Sequence, residues 1–330
     1  MGERNNYFYK KKCLIIGGLG FIGSNLARKL SALGAFVVIM DSLIPDCGGN
    51  FFNIEDIKEK VDVYVSDVRE QHTLVSLIKG QDFLFNLAGR SSHLDSMDNP
   101  FVDLDINCHA QLSILETCRH QNPDIKIVFT STRQIYGRPE YLPVDEKHPL
   151  RPVDINGINK MAAELYHILY NNAYHIRASA LRLTNTYGPG MRIRDARQTF
   201  LGLWIRLIVE NKTFEVWDGR QLRDFTYVDD VVDAILLTAK NVRSCGQIFN
   251  LGGMENIHLK DLAELLVRIN GRGHYTVLPC PEERRKIDIG DYYADIHHIN
   301  NVLQWEPKVP LREGLEKTLS YYHNNLKYYI

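Results

Sequence analysis

The segment Cys13-Leu14-Ile15-Ile16-Gly17-Gly18-Leu19-Gly20-Phe21-Ile22-Gly23 constrains this chain more tightly than any other. Cys13 to Ile16 has no polar alternation, as expected of a parallel strand buried on both faces. Four glycines follow within seven residues, and Ser24 to Leu33 continues in helical rhythm. Strand, glycine turn and helix in that order form the context of a dinucleotide fingerprint. Gly17 and Gly18 allow a tight turn, and Gly20 lets backbone approach a pyrophosphate without a Cβ between them. Gly23 lets the helix pack close to the strand, so its N-terminal N–H groups point at phosphate oxygens.

The rest of the N-terminal half supports that reading. Ala35 to Met40 predicts a second strand ending at Asp41, where a carboxylate can accept both ribose hydroxyls of an adenosine. The same charge repels a 2′-phosphate, so the expected cofactor is NAD rather than NADP; the alternative is an Asp that only opens a turn. A third strand, 61–65, leads to Asp67, placed to contact adenine. A fourth, 82–87, ends at Ala88 and Gly89, small enough to let a cofactor lie against the backbone. A fifth, 125–130, leads into Ser131 and Thr132.

Strands and helices alternate to about residue 185, which predicts a Rossmann-type doubly wound parallel α/β sheet. Residues 186–330 read as a smaller C-terminal α/β lobe for substrate, with segments returning to the first domain. Its expected pieces are a helix at 197–210, a strand near 213–217, a helix from Val228, a strand at 247–251 and a helix at 259–270. A second ligand is expected in the cleft beyond the strand ends.

Composition narrows the class. The 330 residues are 45% hydrophobic and 24% charged, with a net charge of −1, so nothing favours nucleic acid or a membrane surface as partner. No apolar run approaches a membrane span. Met1 to Lys12 is polar and does not read as a signal peptide, and Asn6 stands where a myristoylation signal wants Ser or Thr. Six scattered cysteines without a C-x-x-C pair suggest reduced thiols and a cytoplasmic protein. The histidines show no metal-ligand spacing, so no metal is expected.

Several motifs in order carry a resemblance. They are the glycine segment, Asn86-Leu87-Ala88-Gly89, Ser131-Thr132-Arg133-Gln134-Ile135-Tyr136-Gly137, Leu181-Arg182-Leu183-Thr184-Asn185-Thr186-Tyr187-Gly188-Pro189, and Arg223-Asp224-Phe225-Thr226-Tyr227-Val228-Asp229-Asp230. Arg285 and Tyr293-Ala294-Asp295 come after them. With them the chain resembles the extended short-chain dehydrogenases/reductases that epimerise or dehydrate sugar nucleotides, UDP-glucose 4-epimerase among them. The resemblance implies tightly held NAD, a nucleoside-diphosphate sugar as substrate, and chemistry that begins by oxidising a sugar hydroxyl, usually at C4. It adds Phe21, Ile22, Ser42, Val68, Leu87, Asn107 and Thr130 to the cofactor residues and Ser92 to the substrate residues. Asn185 resembles the asparagine on the diphosphate. Arg223 and Arg285 resemble the arginines on the nucleotide, although Arg285 also fits a solvated charge run. Helices around 100–120 and 157–174 often form a homodimer interface in such proteins.

The chain departs from that pattern at its catalytic core. The family pairs Ser/Thr with Tyr-x-x-x-Lys, and the tyrosine takes the hydroxyl proton. Thr132 and Lys160 match, but the residue four before Lys160 is Asn156. A carboxamide shares the helix face with the lysine yet cannot act as a general base. His93, in a loop that reaches substrate in the family, is one replacement, since imidazole titrates near neutrality; exposure to solvent is its other reading. Tyr136 is a second candidate with a structural look, and Asp95 a weaker third. Dehydratases follow the catalytic Thr with Asp and Glu, and decarboxylases also keep the Glu. Here Arg133 and Gln134 stand instead, which disfavours both reactions, and Arg133 suits either a polar or carboxylate substituent on the sugar or exposure at the surface. The leading expectation is an epimerase-like enzyme with an atypical base; the alternatives are a non-catalytic NAD and sugar-nucleotide binder, or a reductase/dehydratase.

Overall fold

Lys12–Ile16, the first strand (β1), is held between two neighbours at the centre of a sheet in a computed structural model that describes residues 6–45, 47–282, 285 and 288–330. Because consecutive side chains leave a strand on opposite faces, an unbroken apolar run needs two cores. Cys13 and Ile15 enter one core with Leu26, Ile235 and Leu315, and Leu14 and Ile16 enter another with Leu74, Ile114 and Ile176.

The further strands are β2 (Phe36–Asp41), β3 (Val61–Val65), β4 (Phe83–Asn86), β5 (Lys126–Thr132), β6 (Arg177–Leu183), β7 (Asn185–Tyr187), β8 (Phe214–Trp217), β9 (Leu222–Tyr227), β10 (Ile248–Asn250), β11 (Asn256–His258) and β12 (Tyr275–Leu278). Six of them join β1 in one parallel sheet in the order β10-β6-β5-β4-β1-β2-β3. This is the Rossmann-type α/β arrangement. The order reverses at β1, so the crevice beyond β1 and β4 is the natural ligand site. Strand β10 returns to the main sheet beside β6, whereas β7, β9 and β11 make a small separate sheet and β8 pairs with β12.

Two helices set the geometry at the carboxyl edge of the main sheet. Phe21–Ala32 begins at Phe21, three residues before the Ser24 start expected from rhythm, because the glycine turn itself supplies its first turn with Gly20 as cap. Ile155–Tyr174 is capped by Asp154, whose Oδ1 accepts from the Gly157 N–H at 2.6 Å, and ends at His175 in the left-handed region. Buried Glu164 on this helix receives Arg182 of β6 through Nη2 at 2.6 Å, which fixes the helix against the sheet. The stretch from Pro100 to Gln121 is broken by a π-helical turn at Asp105–His109. Among the described residues, no helix is long and apolar enough to cross a membrane.

Candidate active site

A cavity of about 340 Å³ runs along the carboxyl ends of β1, β2, β4 and β5. Its adenosine end is made by backbone. Gly17 adopts φ +81°, and a Cβ there would press on the Leu87 and Ala88 backbone at 3.1 Å. A Cβ on Gly23 would collide with the Gly17 carbonyl. Gly17, Gly20, Phe21, Ile22 and Gly23 all line the cavity, with the helix N-terminus facing it. Such a cradle fits the pyrophosphate of a dinucleotide.

Asp41 and Ser42 at the end of β2, Asp67 and Val68 after β3, and Leu87, Ala88 and Gly89 after β4 complete this end. Asp41 also organises the turn: Oδ2 accepts from Leu19 N at 3.0 Å and Oδ1 from Leu43 N at 2.9 Å. Burial raises its pKa while those N–H groups pull it down. Each carboxylate oxygen retains capacity for a ribose hydroxyl. Asp67 is gripped by its neighbour Arg69 through Nε and Nη2, at 2.9 and 2.8 Å, and this pairing lowers its pKa.

The other end is made by side chains. Thr130, Thr132, Arg133 and Gln134 leave the end of β5, and Asn156 and Lys160 enter from the helix Ile155–Tyr174. Lys160 donates to the Thr130 carbonyl at 2.7 Å and lies 4.4 Å from the centre of the Phe129 ring. Desolvation lowers its pKa to about 8, opposed by the charges of Asp103 and Glu164. Thr132 Oγ1 accepts from Gln134 N at 3.3 Å, capping the short turn Arg133–Tyr136 and leaving its own proton for a substrate oxygen.

Asn156 is almost fully buried, and its Nδ2 donates to the Arg90 carbonyl at 2.7 Å and to Asp103 Oδ2 at 3.0 Å. Asn107 reaches the same oxygen at 3.0 Å, and Asn159 reaches Asp103 Oδ1 at 2.8 Å. Three carboxamides thus solvate one buried carboxylate, as a charge removed from water requires. The π-helical turn points Asn107 inward, where it binds both the N–H and the carbonyl of Arg90. It therefore shapes the loop after β4 from outside the cavity lining.

His93 lines the cavity with its side chain 29% exposed, so it is neither a free surface residue nor sealed. Its Nε2 lies 2.9 Å from Gln134 Nε2, and its Nδ1 lies 2.9 Å from Asp154 Oδ2. Arg133 donates through Nη2 to Asn185 Oδ1 at 3.1 Å, and its plane lies over the Tyr292 ring. Its Nη1 is buried without a hydrogen-bond partner, and burial lowers its pKa. Asn185 also donates to the Asp224 carbonyl at 2.9 Å, and burial pushes the Asp224 carboxyl up to about 6.

Four further candidates from the sequence stand outside the cavity. Tyr136 is fully buried, accepts from Arg182 Nη1 at 2.6 Å and donates to Asn250 Oδ1 at 2.7 Å. Burial raises its pKa, so it is no proton acceptor for a ligand in this cavity. Ser92 caps the helix His93–Asp98 by accepting from Asp95 N. Arg223 is tied to the Gly290 carbonyl and to Asp288 Oδ1, and burial beside Arg133 lowers its pKa to about 10. Arg285 is exposed, and its carbonyl receives Arg138. Neither of these last two lines the cavity, and for Arg223 the acceptors are supplied by Asp288 and Gly290 instead. Asp103, Asn159 and Asp154 join the site without having been singled out in the sequence. Only Asp154 carried a local signal, an Asp directly before a helical run.

Residues 13–252 match the NAD dependent epimerase/dehydratase family. A provisionally assigned UDP-glucose 4-epimerase of Methanocaldococcus jannaschii is 31% identical over 315 residues, covering 94% of this chain and 98% of its own. The solved UDP-glucose 4-epimerase of Thermotoga maritima, with UDP-glucose, superposes with a TM-score of 0.86 at 27% identity, over 95% of this chain and 99% of that one. MoeE5 in complex with UDP-glucose and NAD gives a TM-score of 0.83 at 27% identity, over 96% and 99%.

Proposed function

This chain belongs to the NAD dependent epimerase/dehydratase family, and we propose that it epimerises a nucleoside-diphosphate sugar with His93 serving in place of a catalytic tyrosine. The observation that carries the reading is a shared cavity: the dinucleotide cradle and the side chains of Thr132, Lys160, Asn156 and His93 line one space. NAD, the family's cofactor, supplies a reversible hydride acceptor when bound.

The chain's own groups divide the remaining work. Gly17, Gly20 and Gly23 with the helix N-terminus hold the pyrophosphate, and Asp41 takes the adenosine ribose. The Lys160 ammonium is placed for the second ribose. Thr132 donates to the oxygen of the reacting sugar carbon. His93 Nε2 takes the hydroxyl proton when that carbon is oxidised and gives it back on reduction. Asn156, four residues before Lys160, holds Asp103 and the Arg90 loop and carries no proton. Asn185 and Arg133 supply donors to the charged part of the substrate, where a guanidinium edge suits phosphate or carboxylate oxygens. Gln134 has no ionisable group, which disfavours dehydration.

Purified protein incubated anaerobically with UDP-, GDP-, CDP- and dTDP-sugars tests this. Absorbance of reduced nicotinamide together with an epimeric product is the expected outcome. Tight binding of a sugar nucleotide with neither signal would make the protein a binder. A dehydrated product would overturn epimerisation and keep the family chemistry.

The same helices support a homodimer. Phe101 is 79% exposed, and Ile158, Leu165 and Leu169 are 49, 49 and 53% exposed along one helix. Leu165 and Leu169 are four apart and share a face, and exposed apolar stripes of this kind mark interfaces. Light scattering should give twice the chain mass, and Leu165→Glu with Leu169→Glu should give the monomer.

A further inference from the structure

We infer that Asp154 is the positioning residue that makes His93 a proton acceptor, one carboxylate oxygen holding the imidazole and the other capping the helix that carries Lys160. The inference rests on the reading of His93 as the base, and its test is separable from it.

Asp154 is 1% exposed at its side chain. Capping needs a single oxygen, and Oδ1 does this by accepting from Gly157 N at 2.6 Å. Oδ2 is left over, buried and without a hydrogen-bond partner, and His93 Nδ1 is likewise buried without one. The two lie 2.9 Å apart. At that distance the contact lacks hydrogen-bond geometry, and a neutral imidazole with its proton on Nδ1 donates to Oδ2 once ring and carboxylate align. Catalytic hydrogen bonds commonly tighten in this way when substrate arrives. Two buried polar atoms facing only each other are a costly arrangement unless they pair.

Pairing fixes the tautomer. With the proton on Nδ1 held by Asp154, the Nε2 lone pair points away and accepts from Gln134 Nε2 at 2.9 Å. Gln134 also suits the other protonation state. Its Oε1 is buried and unpartnered, so the carboxamide turned over would accept from an Nε2–H. In the proposed step a sugar hydroxyl takes the place of the Gln134 N–H at Nε2. The O–H bond breaks, an Nε2–H bond forms, and the imidazolium charge faces the Asp154 carboxylate. The reverse transfer restores the starting state. Because Asp154 caps the helix that delivers Lys160, base and lysine are set by one rigid element.

Asp154→Ser separates the two duties, since serine is an equally good cap but is too short to reach His93. Protein labelled with ¹⁵N-histidine, with His93 assigned through His93→Gln, reports the tautomer by NMR without substrate. The wild type should show Nδ1–H, and Asp154→Ser should lose it while retaining bound NAD and melting temperature. On whichever sugar nucleotide is turned over, kcat should fall by roughly 10²-fold at unchanged KM, and Asp154→Asn should fall between. An Nε2–H tautomer in the wild type, or a serine variant with unchanged tautomer and kcat, would reduce Asp154 to a cap and overturn the inference. If no sugar nucleotide is turned over at all, the epimerase reading fails, and the NMR comparison still decides whether Asp154 sets the ring.

Discussion

The two ends of the cavity are built by opposite means. The adenosine end is a backbone surface: three glycines, a helix N-terminus, and an aspartate whose oxygens already hold the N–H groups of Leu19 and Leu43. The other end is assembled from side chains of β5, the loop after β4 and the helix Ile155–Tyr174, with Asn156, Asn159 and Lys160 satisfying Asp103 and the Arg90 and Thr130 carbonyls while Arg133, Gln134 and His93 keep unpartnered atoms. A backbone surface tolerates no added atoms but is indifferent to distant sequence. A side-chain assembly tolerates exchange, provided that the partners change together. The glycine fingerprint belongs to the first kind, and Asn156, four residues before Lys160, to the second.

Four substitutions probe the contrast, from the largest expected effect to the smallest. Gly23→Val places a branched side chain against the Gly17 carbonyl, which cannot move without the whole turn. It should abolish cofactor retention and cost about 3 kcal/mol or more in stability, read by absorbance of the purified protein and by thermal melts.

Lys160→Met should uncouple stability from activity. The lysine's folded pKa of about 8 lies below its ordinary 10.5. Its burial penalty is therefore present in full below pH 8 and fades as pH rises toward 10.5. Near neutrality the cofactor-free variant should be more stable than the wild type by ~2–3 kcal/mol, with the difference shrinking as pH rises between those values, while turnover is lost. Denaturant melts across that range check both parts; a less stable variant at pH 7 would show that the ammonium is solvated.

Asn156→Ala removes one of the three carboxamides from Asp103 and one of the two donors from the Arg90 carbonyl, which keeps Asn107. Losing two buried hydrogen bonds, one of them to a carboxylate, costs ~1–3 kcal/mol, and NAD affinity should change less than stability does. Equal loss of both would show that the two ends are a single unit. Asp67→Asn should matter least. Its partner Arg69 is partly exposed, so the pair is worth under about 1 kcal/mol, and NAD affinity should shift no more than a few-fold by calorimetry.

The strands show how far local pattern carries. Val61–Val65 was legible to the residue, and the helices at Val228 and Leu259–Asn270 began where expected. The helix expected around 157–174 runs from Ile155 to Tyr174, beginning two residues earlier because Asp154 caps it, with His167 and Tyr170 buried. Asn156 was legible on the helix face of Lys160, four residues before it, but its partners were not. Asp103 lies 53 residues away along the chain and meets it across two helices. Tyr136 reads as a candidate by type and place in its motif, yet the turn Arg133–Tyr136 swings it into Arg182 and Asn250, away from the cavity.

The sequence by itself determined the parallel sheet, the glycine cradle, the acidic end of β2 and the placing of Asn156 on the helix face of Lys160. Each rests on a rule acting within a few residues: strand burial, φ above zero, Cβ exclusion, or the spacing of a helix face. Tertiary structure alone decided that Asp103 gathers three asparagines, that Arg223 turns to Gly290 and Asp288, and that His93 stands between Gln134 and Asp154. Those contacts join segments far apart in the chain, and no local propensity encodes which buried polar group will find which partner.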